Sequence, residues 1–281
     1  SACEKSGQWE RAFELFVDLQ RRGLKPNIIT YNALLFACKK AGDLDKALEL
    51  VAEMQEQRGL APDVVTYNQL IAACGNAQRP AKALALFDEL QDRGLEPDVL
   101  TYNAIVVAGG YERAFDLFSE LQERGLEPDI ATYSSVISAC EKSGQWERAF
   151  ELFVDLQRRG LKPNIITYNA LLFACKKAGD LDKALELVAE MQEQRGLAPD
   201  VVTYNQLIAA CGNAQRPAKA LALFDELQDR GLEPDVLTYN AIVVAGGYER
   251  AFDLFSELQE RGLEPDIATY SSVISACEKS G

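Results

Sequence analysis

Histidine is absent from the 281-residue sequence. That excludes the commonest general base, the Ser/His and Cys/His nucleophile pairs and every His-containing zinc site. No apolar run approaches the roughly 18 to 20 residues that span a bilayer, and no charged-then-apolar segment opens the sequence, so no membrane partner is expected. Basic residues are in deficit: 29 Lys and Arg stand against 43 Asp and Glu, a net charge of −14. This balance argues against a phosphate-bearing partner, whose affinity is drawn from Lys and Arg. Cysteine is scarce, odd in number and widely spaced, at positions 3, 38, 74, 140, 175, 211 and 277. No zinc ligand pattern has such spacings, so the seven are expected to be small buried helix residues in a reducing compartment, with no metal and no cofactor.

What the sequence does have is repetition. Residues 1 to 137 recur without change as 138 to 274, and Ser275 to Gly281 begins a third copy. A designed concatenation or a very recent duplication would explain such identity, since separate copies drift at their surfaces, where substitution costs little. Within each copy a shorter unit is marked by Thr-Tyr-Asn or Thr-Tyr-Ser, starting at Thr30, Thr66, Thr101, Thr132, Thr167, Thr203, Thr238 and Thr269. The steps between these anchors are 36, 35, 31, 35, 36, 35 and 31 residues. Such a period means a solenoid, whose function resides on the surface shared by stacked repeats. The expected architecture is one array: a partial repeat 1–27, repeats 28–63, 64–98, 99–129, 130–164, 165–200, 201–235 and 236–266, and a partial repeat 267–281. Because the sequence starts and stops inside a repeat, it reads as a window cut from a longer array.

In the unit from Ile28 to Asp63, Tyr31, Leu34, Leu35 and Cys38 fall at i, i+3, i+4 and i+7, one stripe of a first helix. Ala41-Gly42 breaks it and Asp43 is placed to cap a second helix, along which Leu44, Ala47, Leu48, Val51 and Met54 form another stripe. Arg58-Gly59-Leu60 closes the unit and Pro62 prevents resumption. A lone hairpin of this size buries too little apolar surface to offset its ordering entropy, so each must stack on its neighbours. The fold class is therefore all-α, a right-handed superhelical solenoid of helix-turn-helix repeats. The unit from Val99 to Asp129 lacks the four residues that elsewhere read Cys38-Lys39-Lys40-Ala41 or Cys74-Gly75-Asn76-Ala77. Four residues are about one helical turn, which predicts a shortened first helix in an intact hairpin and a local change in superhelical pitch.

The stretches Val64-Val65-Thr66-Tyr67-Asn68, Ala83-Leu84-Ala85-Leu86-Phe87 and Gly94-Leu95-Glu96-Pro97-Asp98 resemble the pentatricopeptide repeat (PPR) family, and the likeness runs through every unit. The resemblance implies modular binding of single-stranded RNA, one base per repeat. It assigns the reading to the residue after Thr-Tyr and the last residue of the repeat. Those pairs are Asn32 with Asp63, Asn68 with Asp98, Asn103 with Asp129, Ser134 with Asn164, Asn169 with Asp200, Asn205 with Asp235, and Asn240 with Asp266. The residue before Thr would pack on the base: Ile29, Val65, Leu100, Ala131, Ile166, Val202 and Leu237. An Asn amide offers a donor and an acceptor to uracil while a carboxylate orients it, and the smaller Ser leaves room for a purine. The family rule then gives UUUAUUU. Location in a mitochondrion or plastid is a further implication of the resemblance.

Each Pro-Asp also reads as a turn ending in an N-cap, and Asn in a first turn is unremarkable. The alternative function is a protein-interaction or structural scaffold, engineered or filament-forming, with end-to-end self-association or a protein partner. It draws on the acidic charge and the identical copies. An enzyme is not expected: the deaminase tail of some relatives needs His beside Glu and closely spaced cysteines, and the sequence contains neither.

Overall fold

The computed structural model describes residues 3–56, 59–194, 196–246 and 250–280. Two compact units, Ser1–Ala139 and Cys140–Gly281, divide the chain. In the first lie α1 (Cys3–Arg21), α2 (Ile28–Ala41), α3 (Leu44–Glu56), α4 (Val64–Asn76), α5 (Pro80–Asp92), α6 (Val99–Val107), a 3₁₀ turn (Gly110–Arg113) and α7 (Ala114–Glu123). Helix α8 (Ile130–Ser143) crosses the division. The second unit continues with α9 (Trp146–Arg158), α10 (Ile165–Ala178), α11 (Leu181–Glu193), α12 (Val201–Asn213), α13 (Pro217–Asp229), α14 (Val236–Val244), α15 (Ala251–Glu260) and α16 (Ile267–Ser280). Among the described residues there is no strand. No helix among them is long and apolar enough to cross a membrane.

The anchor Thr is one half of a capping box. Asn27, Asp63, Asp98, Asn164, Asp200 and Asp235 are N-caps whose side chains accept from the Thr backbone N–H three residues on, while each Thr hydroxyl accepts from the cap N–H. Two of the four orphan amides at each helix start are thereby satisfied. The anchor Tyr is the core. Tyr31, Tyr67, Tyr102, Tyr133, Tyr168, Tyr204 and Tyr239 are all at most 2% exposed. Several meet the Phe of the preceding second helix edge-on, as Phe16–Tyr31 at 5.6 Å, Phe87–Tyr102 at 5.7 Å and Phe153–Tyr168 at 5.9 Å between centroids. Each first helix thus packs on its own second helix and on the first helix of the next hairpin, as α4 does on α5 and α6.

The expected stripe of α2 is buried as read. In α3 the buried set is Leu44, Ala47, Leu50 and Met54, with Leu48 and Val51 only half-buried. The reading missed Leu50 because that helix packs on two neighbours, which widens its buried face beyond one stripe. Asp43 caps as expected, accepting from Lys46 N at 2.9 Å. Gly59 is left-handed at φ 61° and Leu60 N donates to Met54 O at 3.0 Å, while Arg58 lies outside the described residues. Cys38, Cys74, Cys140, Cys175 and Cys211 are free and buried. Burial pushes the Cys38 thiol up to about 11 and those of Cys140 and Cys175 to about 12, far from thiolate chemistry at neutral pH. The side chains of Cys3 and Cys277 lie outside the described residues.

The short unit is built as its length requires. Its first helix, α6, has nine residues against the thirteen of α4. Ala108 at the end of α6 settles on Gly75, where an added Cβ would stand 3.0 Å from Ala108 Cα; Gly212 and Ala245 repeat the contact at 3.0 Å. The position of Gly75 is Lys39 in the preceding unit, so the missing turn in one hairpin is matched by a missing side chain in the hairpin before it.

Between α4 and α5 the chain turns through a left-handed Gln78 (φ 54°), and Gln215 does the same at φ 53°, where the other hairpins use Gly42, Gly144 and Gly179. A non-glycine residue there carries steric strain of about 1 kcal/mol, partly offset because glycine loses more entropy on folding. Gln78→Gly is therefore expected to raise stability by about 0.5 kcal/mol, read as a higher urea midpoint at unchanged slope. An unchanged or lower midpoint contradicts it.

Candidate nucleic-acid interface

Each Asn that follows Thr-Tyr lies one helical turn inside the cap of its own helix, beside the Asp at the start of the next first helix. Asn32 Nδ2 donates to Asp63 Oδ1 at 3.2 Å, Asn68 to Asp98 at 3.1 Å and Asn103 to Asp129 at 3.4 Å. In the second unit Asn169 donates to Asp200 at 3.3 Å, Asn205 to Asp235 at 3.1 Å and Asn240 to Asp266 at 3.3 Å. Every Asn–Asp pair read from the sequence is in contact. Ser134 and Asn164 belong to different units: Ser134 is buried with its Oγ donating to Ile130 O at 2.7 Å, and Asn164 caps α10.

Cap and pair are not alternatives. The oxygen of Asp63 that accepts from Asn32 also accepts from Thr66 N and Thr66 Oγ1, each at 2.8 Å. Asp98 Oδ1 collects the same three donors, from Asn68, Thr101 N and Thr101 Oγ1. The other carboxylate oxygen makes no hydrogen bond at either residue, which leaves it to solvent or a ligand. Burial pushes the Asp63 and Asp129 carboxyls up, but the bonds from Thr and Asn outweigh it and hold both below the usual carboxylate range. Both are therefore ionised at neutral pH and fix the amide with its NH2 toward the carboxylate.

Beside each pair stands an exposed aliphatic side chain. Ile29, Val65, Leu100, Ile166, Val202 and Leu237 are 47 to 74% exposed, and Ala131 is exposed as well. Two turns further along the same face, Phe36 is exposed and carries Lys39 Nζ at 4.6 Å and Lys40 Nζ at 5.6 Å from its ring centroid. In the second unit Lys176 and Lys177 stand 4.3 and 5.4 Å from the Phe173 ring. Desolvation, then the neighbouring Lys, lowers the pKa of Lys39 and of Lys176. The short helices have Val107 and Val244 at this position, both exposed.

Net acidity is distributed away from this face. Helices α2, α4, α6, α10, α12 and α14 contain no Asp or Glu at all, and the carboxylates Asp63, Asp98, Asp200 and Asp235 are the caps of α4, α6, α12 and α14; α8 differs in carrying Glu141. The second helices carry the acid, yet Glu53 and its equivalents are not simply a solvated surface. Tyr31 OH and Gln20 Nε2 both donate to Glu53 at 3.0 Å, and Tyr102 OH and Gln91 Nε2 both donate to Glu120 at 2.9 Å. These carboxylates tie hairpin to hairpin. The sequence reading also missed the Thr66 and Thr203 hydroxyls, which donate to the oxygens of Asn32 and Asn169 at 2.8 Å. A polar residue recurring at a 34-residue offset is the only trace of that contact in the sequence.

Family models agree with the repeat spacing. A pentatricopeptide repeat domain matches residues 14–77 and 151–214, and a PPR repeat family matches 62–108, 104–142, 199–245 and 240–279. Among solved structures, the pentatricopeptide repeat protein PPR10 in complex with an 18-nucleotide psaJ RNA element is 26% identical at a TM-score of 0.79, over 96% of this chain and 40% of that one. PPR10 from maize is 32% identical at a TM-score of 0.63, over 100% of this chain and 41% of that one. A chloroplastic pentatricopeptide repeat-containing protein of Arabidopsis thaliana is 44% identical over 50 residues, 18% of this chain and 6% of its own length. The chain thus spans well under half of each of these relatives.

Proposed function

The chain belongs to the pentatricopeptide repeat family, and from that premise we propose that it binds single-stranded RNA, one base per hairpin, with UUUAUUU as its preferred sequence. The observation that carries the proposal is the recurrence of one unit of chemistry: an Asn amide held by an Asp carboxyl, beside an exposed aliphatic side chain, on first helices without an acidic residue at the six Asn–Asp pairs. The amide supplies hydrogen bonds to a base edge, and the aliphatic side chain supplies a surface for its face. Ile29, Val65, Leu100, Ala131, Ile166, Val202 and Leu237 take that packing role, and Ser134 with Asn164 takes adenine. PPR10, a relative of known structure, is bound to an RNA element.

Six first helices without an acidic residue weaken the main physical objection, although α8 carries Glu141 near Lys176. A net charge of −14 opposes RNA only as a distant, salt-screened field if the groove itself is neutral or basic. Lys39, Lys40, Lys176 and Lys177 supply the phosphate contacts. No catalytic step is assigned to this chain, and the chloroplastic names of two Arabidopsis relatives support an organelle as its place of action.

Fluorescence anisotropy with labelled UUUAUUU and AAAUAAA, from 20 to 200 mM salt, tests the proposal. Preference for the first RNA is expected, with log K falling against log salt at a slope of about −3, the value for four lysines at about −0.7 each. Failure of both RNAs to bind at low salt leaves the scaffold reading and removes this one.

A further inference from the structure

The six Asn–Asp pairs are not equivalent. At Asn32 and Asn169 the amide is tied at both ends: its NH2 donates to the Asp, and its oxygen shares the single Thr66 or Thr203 hydroxyl proton with that Asp, each acceptor at 2.8 Å. At Asn68, Asn103, Asn205 and Asn240 the NH2 is tied in the same way, but the amide oxygen is enclosed and has no hydrogen-bond partner among the described residues. The Thr101, Thr132, Thr238 and Thr269 hydroxyls donate to their own Asp alone. Asn68 is only 8% exposed, so its orphaned oxygen is a buried polar group that forgoes water without compensation.

Resting on the base-reading role proposed above, we propose that Asn68, Asn103, Asn205 and Asn240 discriminate uracil from cytosine more strongly than Asn32 and Asn169 do, and that Thr66 and Thr203 are positioning residues that restrain the latter two. Uracil presents an N3–H to an oxygen acceptor, whereas cytosine presents a lone pair at N3, which repels that oxygen. Discrimination therefore requires the amide oxygen to turn toward the base. At Asn68 this movement gives up no bond at the oxygen and relieves an unpaired acceptor. At Asn32 it gives up the oxygen's share of the Thr66 proton. The difference is at most one neutral hydrogen bond, up to about fivefold in an equilibrium constant.

The test uses the native chain and RNAs derived from UUUAUUU by a single U→C change at each position. The loss of affinity opposite Asn68 and Asn205 is expected to exceed that opposite Asn32 and Asn169 by up to about fivefold. Thr66→Val is expected to raise the penalty at the first base alone, up to that at the second. General damage to the fold would lower affinity for every RNA and leave the ratio unmoved; Thr101→Val, which removes the same bond to Asp98 but none to Asn68, is expected to leave the penalty at the second base unchanged, so the pair of variants reports positioning through the Asn oxygen. Equal penalties at all positions in the native chain overturn this proposal while RNA binding stands. If no RNA of the set binds, the reading beneath it fails and the proposal fails with it.

Discussion

A chain carrying Asn68→Ser together with Asp98→Asn is expected to prefer adenine over uracil at the second base, so that UAUAUUU displaces UUUAUUU as the better ligand. The fold should accept both changes. Asparagine already closes the same capping box elsewhere: Thr30 N donates to Asn27 Oδ1 and Thr167 N to Asn164 Oδ1, each at 3.0 Å. Serine already stands at the equivalent of Asn68 in α8, where Ser134 is buried and bonds to the Ile130 carbonyl. Removing Asn68 also removes an enclosed oxygen that has no partner. Losing the amide costs uracil about one or two hydrogen bonds, and room for a purine opens in its place, so a swing of about tenfold in each direction is expected. Anisotropy titrations with the two RNAs against both proteins read it directly. A variant that binds both RNAs in the native order shows that Asn68 and Asp98 do not select the base.

The largest loss of stability is expected from Phe87→Ala. Phe87 is fully buried on α5 and meets the Tyr102 ring edge-on at 5.7 Å and 64°, across the boundary between two hairpins. Truncation leaves a cavity that flanking helices can close only by shifting the whole stack, so about 3 to 5 kcal/mol is expected. In a repeat array stability is a sum of hairpin and interface contributions, and this one site supplies the aromatic contact of its interface. Urea denaturation should show a midpoint well below that of the native chain, and Phe87→Leu, which keeps most of the volume, should fall between the two. A shift of less than 1 kcal/mol in Phe87→Ala would mean that the α5–α6 contact is not what holds this part of the first unit together.

The two experiments address parts of the molecule that were unequally legible. The helices, their caps and the buried Tyr were readable because they depend on neighbours three, four and seven residues away, and a period of 3.6 residues writes those contacts into the sequence. Leu50 escaped because a helix that packs on two neighbours buries more than one stripe. The short unit was read correctly as a shortened first helix, since deleting about one turn preserves the apolar phase. Its complement, Gly75 beneath Ala108, was not, because nothing local distinguishes a glycine that admits a neighbour from one that merely loosens a helix end.

By itself, then, the sequence determined the all-α class, the hairpin period, the caps at Asp43 and at each Pro-Asp, and the family that these residues resemble. Only the tertiary structure decided that a single Asp oxygen serves as cap and as amide holder, that Glu53 and Glu120 are junctions rather than solvated charges, and that Asn32 and Asn68 differ at their oxygens. The reason is one of range. Helix contacts join residues a few positions apart and repeat with the helix, whereas Asn32 meets Thr66 across 34 residues, and a side chain's hydrogen-bond partner at that separation is fixed by how two hairpins stack.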